Sequence, residues 1–228
     1  SFVKGVLNGR ETAAETLFAK NVPGCNVPLK PRKFDRARAN KLMEQAGWKK
    51  GRDGIRVKDG KRCEVSFYFN SKNMQEKTIA EVVQSDLRRI GIDMKIIGEE
   101  KQAYLDRQRT GKFDMQYPLS WGAPYDPQSY FSSWRIPAHG DYQAQIGLAD
   151  KPIIDKEITA LMTEPDEARR QELTTDILKR IHASAVYVPV SFSRTKAVHS
   201  SGLHGVTFAV SQYEIPFETM TFDANKAK

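Results

Sequence analysis

The clearest pattern of secondary structure in the chain lies in CEVSFYFNSKNMQEKTIAEVVQSDLRRIGIDMKII, residues 63–97. Residues 63–70 alternate between two chemical faces, with Phe67 and Phe69 on the apolar one, which predicts a half-buried strand. An amphipathic helix from about Asn73 to Arg89 follows, and Gly91 closes it. Alternating apolar residues after this glycine predict a second strand, so the stretch is a strand, helix and strand unit.

The same pattern continues beyond this unit. A short helix is predicted over 104–109, ended by Gly111, and Phe113, Met115 and Tyr117 alternate as a third strand. Strands and helices in this order predict an α/β layer with at least partly parallel pairing. Ligands of open α/β sheets bind beyond the carboxyl ends of the strands. The segment after residue 117 is therefore the expected place of a binding site.

That segment, residues 120–145, gathers six aromatic residues around one histidine, His139. Pro124 and Pro127 fix their own φ angles and disfavour helical geometry in the residues before them, which predicts a stiff loop. Rigid aromatic rings beside a neutral imidazole form a wall suited to a flat or metal-bearing small molecule. The alternative is a short helix that packs its aromatic residues into the core and leaves His139 on the surface. The six aromatic residues are Trp121, Tyr125, Tyr130, Phe131, Trp134 and Tyr142.

Further elements are predicted on both sides of these segments. Asp35 is a suitable N-cap for a helix to about Ala46, and Asp59 with Gly60 suits a hairpin turn. Behind the aromatic segment the chain predicts, in order, helices over 151–162 and 166–183 and strands over 186–190 and 206–210. The apolar residues expected on the inner face of the second of these helices are Leu173, Ile177, Leu178 and Ile181.

Charge is distributed unevenly along the 228 residues. The formal net charge is +8, yet residues 1–62 alone carry 16 Lys and Arg against 6 Asp and Glu, a net of +10. The basic stretches 30–38 and 49–62 contain one aromatic residue, Phe34, and no series of aromatic stacking platforms, so they predict a solvated face and no nucleic-acid partner. No apolar run reaches the length of about 18 residues that a membrane span needs. Because no leader-like segment follows Ser1, we expect any targeting signal to have been removed or to lie outside this chain.

No catalytic signature is present. The sequence lacks the motifs GxSxG and HExxH and the phosphate-binding motifs GxxxxGK[ST] and GxGxxG. A metal-assisted hydrolase built on His139 and Asp141 is an alternative, but it has no third metal ligand. One imidazole does not hold a bare transition metal tightly, so a metal bound at His139 must bring its other donors on its own ligand. Cys25 and Cys63 either form one disulfide or remain reduced thiols.

Three runs of the sequence resemble the extracytoplasmic solute-binding proteins of peptide and nickel ABC importers, family 5. They are KPRKFDRARANKLMEQAGW (30–48), DLRRIGIDMKIIGEE (86–100) and RQRTGKFDMQYPLSWGAPYDP (107–127). A further run, WGAPYDPQSYFSSWRIPAHGDYQAQIGLADKPIID (121–155), resembles the nickel-binding branch of that family more narrowly. The likeness covers essentially the whole chain. Trp134 departs from it, since a smaller apolar side chain is expected there, and this tryptophan would reshape the pocket wall.

The resemblance implies a fold and a division of the chain. Members of this family have two lobes, and the chain resembles their C-terminal part. We therefore expect an α/β fold, namely one lobe of a type II periplasmic binding protein with a mixed sheet flanked by helices. Residues 1–192 would form the C-terminal ligand-binding lobe, with 1–34 entering near the hinge. Residues 193–228 would form a tail that returns toward the missing N-terminal lobe.

The resemblance also implies a function. It implies a monomeric, non-enzymatic protein of the periplasm that binds nickel inside a small organic chelator and delivers it to the membrane permease of an ABC importer. Free histidine is the leading candidate for that chelator. By this resemblance Trp121 and Tyr125 line the ligand cleft, and His139 binds the metal directly. The alternative within the same architecture is a dipeptide or oligopeptide carrier, in which His139 merely lies near the cleft.

Overall fold

The computed structural model describes residues 2–118, 127–194, 196–209 and 214–223, and the chain forms two compact units. The first unit comprises Ser1–Leu29, Ser120–Ser132 and Pro152–Lys228, and the second comprises Lys30–Leu119 and Ser133–Lys151. Within the described ranges, every helix is too short or too polar to span a bilayer.

Helices and strands alternate along much of the chain. The helices are α1 (Phe2–Gly5), α2 (Arg36–Gln45), α3 (Met74–Arg89), α4 (Lys101–Thr110), α5 (Pro127–Ser133), α6 (Gly140–Gln145), α7 (Lys151–Leu161) and α8 (Glu167–Ser184). The strands are β1 (Thr12–Ala13), β2 (Lys49–Lys50), β3 (Arg56–Lys58), β4 (Lys61–Arg62), β5 (Glu64–Asn70), β6 (Asp93–Glu99), β7 (Met115–Gln116), β8 (Ser191–Phe192), β9 (Leu203–His204) and β10 (Thr221–Phe222). A 3-10 turn occupies Phe217–Thr219.

A three-stranded parallel sheet forms the centre of the second unit. β5 lies between β6 and β7, and Phe67 pairs with Ile96 on one side and with Met115 on the other. Phe67, Phe69 and Met94 belong to the buried core between this sheet and α3. The predicted strand, helix and strand unit is confirmed, together with its parallel pairing and the α/β fold class.

The helix α3 begins where the sequence predicts it. The side chain of Asn73 caps it by accepting hydrogen bonds from the backbone N–H groups of Gln75 (3.1 Å) and Glu76 (3.3 Å). The carboxylate of Glu76 in turn accepts from the backbone N–H of Asn70 at 3.0 Å. The two bonds to Asn73 satisfy donors that a helix start leaves unpaired, and the bond to Glu76 joins the end of β5 to the first turn of α3.

An antiparallel meander of β2, β3 and β4 precedes the parallel sheet. Asp59 and Gly60 turn the chain between β3 and β4 with φ angles of 49° and 74°. A two-residue hairpin turn of this kind requires positive φ at both positions, so the predicted hairpin is confirmed. The predicted N-cap is confirmed as well, because the Asp35 carboxylate accepts from the backbone N–H of Arg38 at 2.8 Å.

Arg56 is the exception to the predicted solvated basic face. Its side chain is fully buried and donates hydrogen bonds of 2.7 Å to the carbonyls of Ile90 and Trp48 and to the Asn40 side chain. Glu44 adds an ion pair at 3.4 Å. The solvated-face prediction is wrong at this position, because a guanidinium can be buried when the fold supplies enough acceptors. Arg56 thereby joins α2, the meander and the end of α3.

The first unit is built mainly on α7 and α8. α8 buries four of the apolar residues that the sequence places on its inner face. Phe18 packs edge-on against Tyr130 and Phe131, with ring centroids 5.6 Å and 5.8 Å apart. The buried residues of α8 that confirm the predicted stripe are Leu173, Ile177, Leu178 and Ile181.

The stiff loop predicted over 120–145 contains two short helices, α5 and α6, so the alternative prediction holds for its described part. Pro127 is the first residue of α5, where a missing N–H costs nothing and a fixed φ favours the helix. Tyr130 and Phe131 on α5 are buried in the core. The part of the loop before Pro127 lies outside the described residues.

The strand predicted over 186–190 is wrong. Ala185 ends α8 in the left-handed conformation at φ 56°, and the residues after it form no strand until β8. Pro189 lacks the N–H that a sheet ladder needs, which explains why pairing with β1 starts beyond it. The strand predicted over 206–210 is also absent from its described part, 206–209, and β9 pairs instead with β10.

Candidate functional site

His139 occupies the N-cap position of α6, in the second unit. Its backbone is extended, with φ −101° and ψ 140°, and its N–H donates to the Ile136 carbonyl at 2.8 Å. Its own carbonyl accepts from the N–H of Gln143 at 3.2 Å. Its side chain is 37% exposed. The backbone is therefore fixed at both ends while the imidazole reaches solvent.

The imidazole lies directly against Asp141. Its Nδ1 is 3.0 Å from Asp141 Oδ2 and 3.3 Å from the backbone nitrogen of the same residue. The Asp141 side chain is only 6% exposed, in contrast to the ring that it contacts. Nε2 of His139 contacts no polar partner within the described part of the chain. One edge of the ring is thus engaged by the protein, and the other remains available to a ligand.

α4 packs against α6 and sets its position. A methyl group placed on Gly140 would lie 3.4 Å from the Gln108 side chain, so the two helices approach closely where this glycine stands. Gln143 donates to the Pro137 carbonyl at 2.7 Å, and its side chain fills the space beside Gly111. Gly111 ends α4 in the left-handed conformation at φ 65°. Small residues at 111 and 140 therefore allow the glutamine side chains to hold α6.

Tyr104 connects α4 to the parallel sheet. Its side chain is buried, donates to the Tyr117 carbonyl at 2.5 Å and accepts from Gln108 Nε2 at 3.3 Å. Burial raises the pKa of this phenol, and the negative charges of Glu76 and Asp141 add to the shift. Because Tyr117 directly follows β7, the contact lies at the carboxyl end of a parallel strand. This is the edge at which the sequence predicts a site.

Only some of the aromatic residues of segment 120–145 lie within the described residues. Trp121 and Tyr125, the predicted cleft residues, lie outside the described residues, and their roles remain predictions. Trp134 is completely buried, and its carbonyl accepts from Lys151 Nζ at 3.1 Å. The same ammonium lies 4.9 Å from the centre of the Tyr142 ring. Trp134 is therefore an interior residue of the second unit, and the expectation that it shapes a pocket wall is wrong.

Metal-ligand chemistry is sparse. In the described parts of the chain, His, Cys, Asp and Glu side chains nowhere gather in a group of three or more that could hold a metal ion. His204 pairs with Asp223 at 2.8 Å, and His199 contacts the Ser200 carbonyl at 2.9 Å, so each has a separate partner. A metal at His139 would accordingly depend on donors from its own ligand.

The two cysteines are buried, reduced thiols. Burial raises the pKa of the Cys63 thiol, which keeps it protonated and unreactive. The second of the two alternatives that the sequence allowed, reduced thiols, is therefore the one found.

Sequence reasoning missed the supporting residues of the site. Tyr104, Gln108 and Gln143 lie on polar helices without a strong apolar stripe, so their inward contacts leave no periodic signal. The glycines at 111 and 140 were the available clue, because close approach of two helices favours small residues. Asp141 was considered only as a hydrolase residue, whereas the structure places it as the direct neighbour of the His139 ring.

Comparison with known proteins adds a family to this geometry. Residues 1–142 match the family described as bacterial extracellular solute-binding proteins, family 5 Middle. The chain is 44% identical over 220 residues to the nickel-binding periplasmic protein of Escherichia coli K12, which covers 96% of this chain and 42% of that protein. It is 29% identical over 135 residues to the oligopeptide-binding protein AppA of Bacillus subtilis, which covers 57% of this chain and 25% of AppA.

A solved structure agrees with this assignment. NikA from Brucella suis, crystallised in complex with Fe(III)-EDTA, superposes with a TM-score of 0.88 at 43% identity, covering 97% of this chain and 45% of NikA. The chain thus spans less than half the length of the Escherichia coli relative and of NikA from Brucella suis. Because the family match extends over more than half of its residues, the chain belongs to the bacterial extracellular solute-binding proteins of family 5.

Proposed function

We propose that this chain is the C-terminal lobe of a two-lobed solute-binding protein that captures nickel as a small-molecule chelate. The protein holds the chelate in the periplasm or another extracytoplasmic space and delivers it to the membrane permease of an ABC importer. It acts as a monomer, has no nucleic-acid partner and catalyses no reaction. Its N-terminal lobe, outside the present chain, supplies the other wall of the binding cleft.

The observation that carries this proposal is a solitary imidazole. His139 presents one ring edge to solvent, and among the described residues it belongs to no group of three or more His, Cys, Asp or Glu side chains that could hold a metal ion. Nickel prefers four to six donors, so a single protein nitrogen suits a cation that already carries a chelator. The 43% identical relative from Brucella suis was crystallised with iron in EDTA, a chelator that brings its own nitrogen and oxygen donors. The similarity to the Escherichia coli nickel-binding protein favours nickel as the cargo.

The remaining site residues follow from the same proposal. Trp121 and Tyr125 line the cleft and pack against the organic part of the chelate, and His139 ligates the metal. Free histidine is the proposed chelator, because it offers one carboxylate and two nitrogen donors in a molecule small enough to enter a cleft between two lobes.

Calorimetric titration of the intact, two-lobed protein with a nickel and histidine mixture tests the proposal. We expect His139→Ala to weaken binding by more than about 100-fold, since it removes a direct ligand and not merely an outer-shell contact. His199→Ala is the matched control, because that histidine lies in an exposed loop and its ring nitrogen contacts the carbonyl of the neighbouring Ser200. Unchanged affinity in the His139 variant would exclude direct ligation. Trp121→Ala and Tyr125→Ala should weaken the binding of the chelate with the metal bond intact.

Peptide transport is the second candidate function, favoured by the similarity to the oligopeptide-binding protein AppA. A ligand that binds only the folded state raises the melting temperature. Thermal unfolding of the intact protein with dipeptides, oligopeptides and nickel chelates therefore separates the two functions. Stabilisation by peptides alone would favour the peptide carrier. Elemental analysis and mass spectrometry of ligand retained through purification provide an independent answer.

A further inference from the structure

We infer that Asp141 is a positioning residue for metal capture: its buried carboxylate holds the proton of the neutral His139 ring on Nδ1 and leaves the lone pair of Nε2 for the metal. This inference rests on the proposed function, in which His139 is a ligand. It adds that Nε2 is the atom of His139 that binds the metal and that Asp141 is the residue that selects this atom.

The first step is the contact at Nδ1. Asp141 Oδ2 lies 3.0 Å from this nitrogen, and an ionised carboxylate can only accept a hydrogen bond. The backbone N–H of Asp141, 3.3 Å from Nδ1, would need the opposite state, a ring nitrogen that accepts. Nδ1 cannot donate a hydrogen bond to the carboxylate and accept one from the backbone N–H at the same time. The charge-assisted bond is the shorter and stronger one, so Nδ1 carries the proton.

The second step is burial. If Nδ1 carried a lone pair, that lone pair and the carboxylate would face each other at 3.0 Å with little water to separate them, since Asp141 is only 6% exposed. Low solvent access strengthens the attraction between Nδ1–H and the carboxylate, and it equally strengthens the repulsion between an Nδ1 lone pair and the carboxylate. The preference for Nδ1–H is therefore much larger here than between exposed side chains. In a neutral ring with Nδ1 protonated, Nε2 is the only nitrogen with a free lone pair.

The third step is rigidity. Asp141 and His139 belong to one short segment, and α4 holds that segment through the Gln108 contact at Gly140 and the Gln143 side chain beside Gly111. The ring therefore has a defined orientation before any ligand arrives. Metal-binding histidines commonly donate their second ring nitrogen to a carboxylate in this manner, which fixes the tautomer and raises the basicity of the ligating nitrogen.

The decisive variant is Asp141→Asn in the intact protein. Asparagine has nearly the same shape, but its amide can donate to Nδ1 and so favours the tautomer with the proton on Nε2. Nitrogen NMR of the histidine rings, recorded without metal in alkaline solution where the rings are neutral, reports the tautomer directly. We expect the His139 signals of the unmodified protein to show Nδ1–H, and those of Asp141→Asn to shift toward Nε2–H. His139→Gln identifies which signals belong to residue 139.

Affinity for the nickel and histidine mixture should fall about 10- to 100-fold in Asp141→Asn. Asp106→Asn is the matched control for loss of one carboxylate, since Asp106 lies on α4 with 58% of its side chain exposed, and its affinity should be unchanged. Nε2–H in the unmodified protein would overturn the inference even if the Asp141 variant failed to fold. Full affinity in a folded Asp141→Asn protein would overturn it too. Failure of the unmodified protein to bind the nickel and histidine mixture would overturn the proposed function itself, whereas full affinity in His139→Ala would overturn direct ligation by His139, and both results are distinct from the two above.

Discussion

The hydroxyl of Tyr104 on α4 donates a hydrogen bond of 2.5 Å to the backbone carbonyl of Tyr117, immediately beyond β7. This bond anchors α4 at the carboxyl end of a parallel strand. Gln108, which donates to the same hydroxyl, also packs against Gly140 at the start of α6. The position of His139 is therefore linked to the sheet through two side chains of one helix.

Tyr104→Phe removes the hydroxyl of this anchor and keeps the ring. We expect the free energy of unfolding to fall by about 1 kcal/mol, the usual net contribution of one hydrogen bond. Urea denaturation followed by far-UV circular dichroism measures it. Tyr68→Phe is the control, because the Tyr68 ring lies 3.9 Å below the Arg107 guanidinium while its hydroxyl makes no hydrogen bond with the described residues. Equal losses in both variants would mean that the bond to Tyr117 contributes nothing.

The buried phenol also predicts a dependence of stability on pH. Burial raises the pKa of Tyr104, so above about pH 10 the unfolded phenol ionises while the folded one keeps its proton. The unfolded chain then binds fewer protons, and the free energy of unfolding falls as pH rises. Ionisation of this one phenol lowers the free energy of unfolding by at most about 1.4 kcal/mol per pH unit. Denaturation curves at several alkaline pH values should show that the free energy of unfolding falls less steeply with pH in Tyr104→Phe than in the unmodified protein. Parallel curves for the variant and the unmodified protein would refute the assignment.

Substitution of Arg56 should destabilise the protein strongly, although Arg56 lies in a region rich in exposed basic residues. Arg56→Ala should lower the free energy of unfolding by about 3–5 kcal/mol, since it leaves the buried partners of the guanidinium without their donor. Arg62→Ala provides the comparison, because that side chain is 43% exposed and its ion pairs with Asp53 and Glu64 lie at the surface. Arg62→Ala should lower the free energy of unfolding by less than about 1 kcal/mol. Similar losses in the two variants would contradict the role given to Arg56.

Gly111→Ala tests whether α4 controls the position of α6. The new methyl group would collide with the Gln143 side chain, and the left-handed backbone adds strain of about 1 kcal/mol. We expect a loss of stability together with weaker binding of the nickel chelate. Gly60→Ala carries the same backbone strain in open space, and Gly147→Ala has neither strain nor a close neighbour. If Gly60→Ala weakened binding as much as Gly111→Ala, strain alone would explain the result.

Local patterns were enough to predict much of the second unit. Alternation around Phe67, the apolar stripe of α3 and the closing Gly91 all report on residues that face one continuous core. The turn at Asp59 and Gly60 was predictable because positive φ strongly restricts the residue types that fit. These signals are local in sequence, so no knowledge of distant contacts was needed.

The failures concern side-chain contacts that the sequence pattern does not report. Arg56 is buried because Trp48 and Ile90 supply carbonyl acceptors, and composition alone cannot indicate this. The aromatic surroundings of His139 and the family resemblance predict it as a site residue. Its pairing with Asp141 depends instead on the side-chain geometry of an N-cap, which spacing alone does not determine.

The coordination of the metal can be seen in a crystal structure of the intact protein grown with nickel and histidine. We expect one nickel ion with Nε2 of His139 as a direct ligand, the remaining donors supplied by the bound histidine, and Nδ1 hydrogen-bonded to Asp141. A nickel chelate bound with the His139 ring turned away from the metal would contradict this expectation.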